Sequence, residues 1–213
     1  MTTLGTASAA PGEVDTGRLA VGETRDGTAV GLPCAVINGA SDGRTLYLQA
    51  ASDGDELNGV GVINRVVPRD ENGTSSERIA AATFDAATRA DLALDLHQGS
   101  TSRMIDEVRV RCGRRHRLHD DCLALAKTFG CGYVLDQKGP GGQLARAAPD
   151  EGVPTIDPEL GGCVGWDEES IDLGVEGVFN VLREYGFLSG GAPSDRQTRA
   201  KGFDQFGSPS GGL

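Results

Sequence analysis

With 213 residues, the chain is long enough for one full domain with a sizeable core and too short for two. Hydrophobic residues make up 38% of it, and no apolar run approaches the roughly 20 residues of a membrane helix, so no membrane partner is expected. The net charge is -11 and only Lys127, Lys138 and Lys201 are lysines; this balance excludes nucleic acid as a partner, because phosphate contacts need a basic surface. Asp-rich, Lys-poor surfaces bind water and cations strongly, so a halophilic source is expected.

In chain order, Met1 to Val14 has neither a basic nor an apolar leader region. It reads as a loose tail, with the cytoplasm as the default location. Ala29–Ile37 and Thr45–Ala50 are apolar, β-branched strand patterns separated by the turn-like residues 39–43. Leu57–Val67 reads as a helix, and Ser75–Ser76 opens a second helical run that extends to Arg89, with Ile79, Ala80 and Phe84 on one face. Strands follow at Ala90–Leu96 and Val108–Val110, a helix at Asp121–Phe129 and a strand at Gly132–Leu135. Next come a short helix at Gln143–Ala148, a strand at Val153–Ile156 and a helix at Ile171–Tyr185. Alternating strands and helices predict an α/β fold, a mixed, largely parallel sheet flanked by helices. Residues 1–25 are expected as a flexible segment, 26–190 as one catalytic-like domain, and 191–213 as a tail without core-forming pattern. The five cysteines contain no Cys-x-x-Cys pair and are expected as reduced, mostly buried thiols.

In open α/β sheets, ligands bind outside the carboxyl ends of the strands. Asp53, Asp55 and Glu56 follow one strand, His97 another, and Asp157 and Glu159 a third. Converging there, these groups would offer the oxygen and nitrogen donors that zinc accepts, with a carboxylate left to act on water. On position alone, plain turn formers are the better account of the same residues. Residues Arg109, Arg111, Arg114, Arg115, His116, Arg117 and His119 form a basic cluster, expected as a solvated turn paired with Asp106, Glu107, Asp120 and Asp121. Gly139-Pro140-Gly141-Gly142 lacks the Lys-Ser/Thr of a phosphate loop and reads as a flexible loop.

Four segments carry more specific wording. Residues 51–59, Ala-Ser-Asp-Gly-Asp-Glu-Leu-Asn-Gly, resemble the His-Gly-Asp-Glu-x-Asn-Gly segment of the succinylglutamate desuccinylase/aspartoacylase family. Asp95-Leu96-His97-Gln98-Gly99 resembles that family's Asp-Leu-His-x-Gly. Residues 72–80 resemble the start of the helix before that strand, and residues 152–162 the strand whose glutamate is the general base. The resemblance implies a zinc carboxypeptidase-like fold and hydrolysis of the amide of a small-molecule N-acyl amino acid. It makes Glu56 and His97 ligands of one Zn2+, Glu159 the base, and Arg146 a group for the oxyanion or a substrate carboxylate. Asp53 stands where the family has its first histidine, giving a harder donor set for which Mg2+ or Mn2+ would compete better. The family's longer excursion after Val67, with its carboxylate-gripping Asn-Arg pair, has only Arg69 and Asn72 as counterparts here, and its C-terminal β domain is expected to be missing beyond Leu213. Two rival readings are a remnant that keeps the fold and binds metal or a small carboxylate, and a carboxypeptidase-like peptidase acting on peptide ends.

Overall fold

The computed structural model describes residues 1–66, 83–99, 106–162, 165–191 and 198–201. The 72–80 segment, Arg69, Cys163 and most of the 191–213 tail lie outside the described residues, as does the start of the helical run leading to Arg89, of which 83–87 are helical.

The chain opens with strands where a loose tail was expected. β1 (Thr2–Leu4) pairs antiparallel with β2 (Ala7–Ala9), and β3 (Val14–Glu23) pairs antiparallel with β4 (Ala29–Ile37). The two ribbons lock at Gly17, where an added Cβ would lie 2.4 Å from the Ala7 nitrogen, and through the Thr6 N–H to the Arg18 carbonyl at 3.0 Å. β4 is the strand predicted at Ala29–Ile37, whereas β3 escapes sequence reading because its inward residues (Asp15, Gly17, Leu19, Val21) include only two apolar side chains.

The remaining strands are β5 (Leu46–Ala50), β6 (Leu92–Leu96), β7 (Glu107–Val110), β8 (Tyr133–Asp136), β9 (Thr155–Glu159) and β10 (Thr198–Ala200). They form one sheet in the order β10-β8-β7-β9-β6-β5, parallel throughout except for the antiparallel β7–β9 pair. This is the mixed, largely parallel α/β architecture the sequence predicts. β10 is an addition to it. β9 also runs further than expected, through Asp157 and Glu159, because Pro158 reads as a strand stop. Proline has no N–H for the ladder, and the β6–β9 pairing is accordingly broken: it holds at Ala93/Thr155 and Leu94/Ile156 and resumes only as an isolated bridge between His97 and Glu159.

The helices are α1 (Asn58–Val66), α2 (His119–Phe129), α3 (Leu144–Ala147) and α4 (Glu168–Glu184). No helix among the described residues is long and apolar enough to cross a membrane. Side chains alternate across a pleated strand. One sheet face therefore carries Leu92, Leu94 and Leu96 of β6, Ile156 of β9, and Val108 and Val110 of β7, packed with Val62, Phe129, Ile171 and Val178 of the helices into the main core. The opposite face carries Gln49, Asp95, Asp157, Glu159 and Arg109. α4 closes on the core through glycines: an added Cβ at Gly174 would come within 2.5 Å of Val62 Cγ2, and one at Gly177 within 2.5 Å of the Phe129 ring. Gly177→Ala is therefore expected to lower stability by about 1–3 kcal/mol through overpacking, measurable as a shifted urea midpoint at unchanged slope.

Candidate metal centre

Because β5, β6 and β9 are mutually parallel, their carboxyl ends share one edge of the sheet. Asp53 and Glu56 follow β5, His97 follows β6 directly, and Glu159 is the last residue of β9. Ala51 makes the turn off β5 at φ 57°, the one non-glycine with positive φ among the described residues; such a conformation costs roughly 1–2 kcal/mol in an L residue. Gly59 lets the start of α1 settle onto the strand ends, since a Cβ there would lie 2.8 Å from Ala50 Cβ and 2.9 Å from the Leu96 carbonyl. The local sequence thus folds Glu56 back over β6.

The outcome is a compact donor set. His97 Nδ1 lies 2.9 Å from Glu56 Oε2 and 3.7 Å from Asp53 Oδ2, and the three donor atoms fall within 4.8 Å of one another. Glu56 is buried, His97 is partly so, and the Asp53 side chain is 66% exposed. On the far side of the ring, His97 Nε2 lies 3.2 Å from Asp95 Oδ2. Asp95 is itself held at Oδ1 by Gln49 Nε2 (3.1 Å) and Ser52 Oγ (3.3 Å). A carboxylate behind a ligating histidine fixes the tautomer and aims the free nitrogen. Two carboxylates and an imidazole nitrogen, the last oriented from behind, form a set that zinc accepts, so these residues fit a divalent ion.

Two buried amides brace the ligands. Glu56 Oε2 accepts the Gln98 backbone N–H at 3.1 Å, and Gln98 Oε1 accepts the Asn58 N–H at 2.9 Å. Asn58 Nδ2 donates to the Leu160 carbonyl (2.9 Å), and its Oδ1 accepts the Asp167 N–H (2.7 Å). One side chain thereby ties α1, the end of β9 and the start of α4 together. Asn58→Ala should cost about 1–3 kcal/mol by leaving the buried Leu160 carbonyl and the partly buried Asp167 N–H without this partner, a loss that urea unfolding of the metal-free protein will measure.

The electrostatics follow from burial. For His97, burial disfavours the imidazolium, but hydrogen bonds to Asp95 and Glu56 and the field of Asp157 outweigh it and push the pKa up to about 12. Burial, then repulsion from Asp157, pushes Glu159 up to about 7, against the opposing pull of Arg109 and His97. A carboxylate that exchanges its proton near neutrality has the property a general base needs. Burial also pushes Asp157 upward.

Of the residues singled out in the sequence, Asp53, Glu56 and His97 come together, and Glu159 is bridged to His97. The Arg146 guanidinium is paired with Asp150 at 3.0 Å, one turn on and just ahead of β9. The basic cluster is not one solvated surface. Arg109 and Arg111 alternate with Val108 and Val110 along β7 and its continuation, and they face Glu159 and Asp157 rather than water. The signal was present as a period-2 pattern, Glu107-Val108-Arg109-Val110-Arg111, but it was masked by the run of charges after it. At the opposite edge, Arg114, His119 and Arg199 converge on the buried carboxylate of Asp136. Cys112, Cys122 and Cys131 are buried and Cys34 is partly buried, and none of the four is in a disulfide among the described residues.

The family model for the succinylglutamate desuccinylase/aspartoacylase catalytic domain matches residues 63–185, and the chain belongs to this family. His97 and Glu159 lie inside the matched span, while Asp53 and Glu56 precede it. Among solved structures, the chain is similar to a succinylglutamate desuccinylase/aspartoacylase from Rhodobacter sphaeroides (20% identity, TM-score 0.70, 84% of this chain and 67% of that one). It is also similar to the product-bound ectoine utilization protein EutE (DoeB) from Ruegeria pomeroyi (22%, 0.76, 96% and 77%) and to a succinylglutamate desuccinylase from a Silicibacter species (22%, 0.75, 96% and 77%). At these identities the likeness establishes the fold, which is zinc carboxypeptidase-like. No curated protein matches the chain significantly.

Proposed function

We propose that the chain is a metal-dependent hydrolase that cleaves the amide bond of small N-acyl amino acids of the succinylglutamate or acetylaspartate type, in the cytoplasm. The observation that carries this reading is the approach of Asp53, Glu56 and His97 donor atoms to within 4.8 Å, beside a buried Glu159, in a chain of a deacylase family. Asp53, Glu56 and His97 would hold one Zn2+, with Mg2+ or Mn2+ competing because two of the three donors are carboxylate oxygens. The ion supplies Lewis-acid chemistry toward the scissile carbonyl and makes water more acidic. Glu159 takes the proton of the attacking water and returns it to the leaving amine nitrogen. Asp95 keeps the proton on His97 Nε2, so that Nδ1 presents its lone pair to the ion. With Arg146 engaged by Asp150, its role toward an oxyanion or substrate carboxylate requires that pair to open.

Metal content tests the ligand set. Wild type is expected to hold about one zinc, Glu56→Ala and His97→Ala to lose it, and Asp53→His to bind more tightly. A well-folded wild type without metal would end the catalytic reading. The proton balance has a defined sign: metal-free His97 keeps its proton up to about pH 12, and ligation through Nδ1 expels it. Calorimetry at pH 8 in buffers of different ionisation enthalpy should therefore report release of about one proton per ion, with affinity rising about tenfold per pH unit between 7 and 9.

Turnover is tested by Glu159→Gln. That variant should keep its metal and lose about 10²–10⁴-fold in kcat on N-acyl amino acids, read by amine release. The exposure of Asp53, at 66%, and its 3.7 Å separation from His97 favour a second reading, a weakened enzyme that binds metal with little turnover. Higher kcat in Asp53→His would support it.

A further inference from the structure

We infer that Arg109 is a positioning residue for Glu159, holding one carboxylate oxygen so that the other faces the Asp53–Glu56–His97 cluster. The proposal rests on the deacylase reading for its catalytic consequence and on geometry alone for the positioning itself.

Arg109 lies on β7, the strand that runs antiparallel to β9. In that register Glu107 sits opposite Glu159, and Arg109 sits opposite Asp157. All four project from the sheet face that carries His97, because strand side chains alternate. The guanidinium is fixed at one corner by Glu107 Oε1, 2.5 Å from Nε, and it reaches Glu159 Oε1 through Nη1. Both the Arg109 and Glu159 side chains are largely buried, at 15% and 7% exposure. A planar guanidinium with one edge already fixed has little freedom left, so it dictates where Oε1 sits.

The neighbourhood explains why such a clamp is needed. Glu159 is surrounded by carboxylates: Asp157 two residues back on its own strand, and Glu56 and Asp95 around His97. Repulsion would push a free glutamate side chain away from the cluster. Arg111 cannot substitute for the clamp, since its Nε is directed to Asp157 Oδ2 at 3.3 Å. The β7–β9 reversal is what delivers a cation from the neighbouring strand to the base. A fully parallel sheet would not place Glu107, Arg109 and Glu159 in this arrangement.

The experiment compares zinc-loaded wild type, Arg109→Ala and Arg109→Lys, with circular dichroism as a folding check. It reads metal content, kcat and KM on the N-acyl amino acid that wild type cleaves fastest, and crystal structures of wild type and Arg109→Ala. The expected result is unchanged zinc, KM within about threefold, and kcat down by about 10²-fold in Arg109→Ala, with partial recovery in Arg109→Lys or on adding guanidinium. In the crystal the Glu159 carboxylate should rotate away from His97. An unchanged kcat overturns the proposal, and so does a rise in KM with kcat retained, which would make Arg109 a substrate-binding group. A wild type without turnover defeats the deacylase reading instead. The positioning claim is then decided by the crystal structures: an unmoved Glu159 carboxylate in Arg109→Ala refutes it, and a displaced one upholds it.

Discussion

The pleat of three central strands is the constraint from which the site follows. β9 and β7 alternate apolar with polar residues, and β6 does so over Leu94-Asp95-Leu96, so Leu94, Ile156 and Val108 enter the core while Asp95, Asp157 and Arg109 gather on the other face. Burying the first set is favourable at roughly 25 cal/mol per Å². That burial holds the second set in a partly dry environment where charges are costly unless paired. The ion pairs Arg109–Glu159 and Arg111–Asp157 and the Asp95–His97 contact are the local response. A one-residue slip of any strand would exchange the two sets, so core packing also fixes the register of the site.

The same strands explain how the candidate ligands are aimed. Gly59 allows close approach of α1 to the ends of β5 and β6, and Asn58 links that helix to Leu160 and Asp167. Glu56 is consequently positioned by the backbone of Gln98 as well as by His97. Among the described residues Asp53 has no comparable brace, and its exposure follows from its place in the loop before α1. The donor set is therefore asymmetric, with two firmly placed groups and one looser one. This asymmetry matters for metal preference, because a looser carboxylate suits ions that tolerate variable oxygen coordination.

Much of the site was legible in the sequence because its residues sit in short, ordered motifs. Asp95-Leu96-His97 and Asp53 to Gly59 each combine a strand end with donors, and the carboxyl-end rule brings them to one edge. Arg109 was not legible as part of the site. Its charge merges with the basic run that follows, and its partner Glu159 is 50 residues away and reached only through an antiparallel pairing. The N-terminal strands were missed for a related reason: β1 and β2 are three residues each, and their stability depends on packing against Gly17 and Arg18 rather than on their own pattern.

By itself, the sequence determined the order and type of the main elements, since apolar periodicity and glycine placement act locally and survive without knowledge of neighbours. It also determined which side chains bring donors to the strand ends. Only the tertiary structure decided strand direction and partnership, above all the reversal of β7 and its pairing with β9. These features depend on contacts between segments far apart in the chain, and no local pattern encodes them. Through them the fold set Arg109 against Glu159.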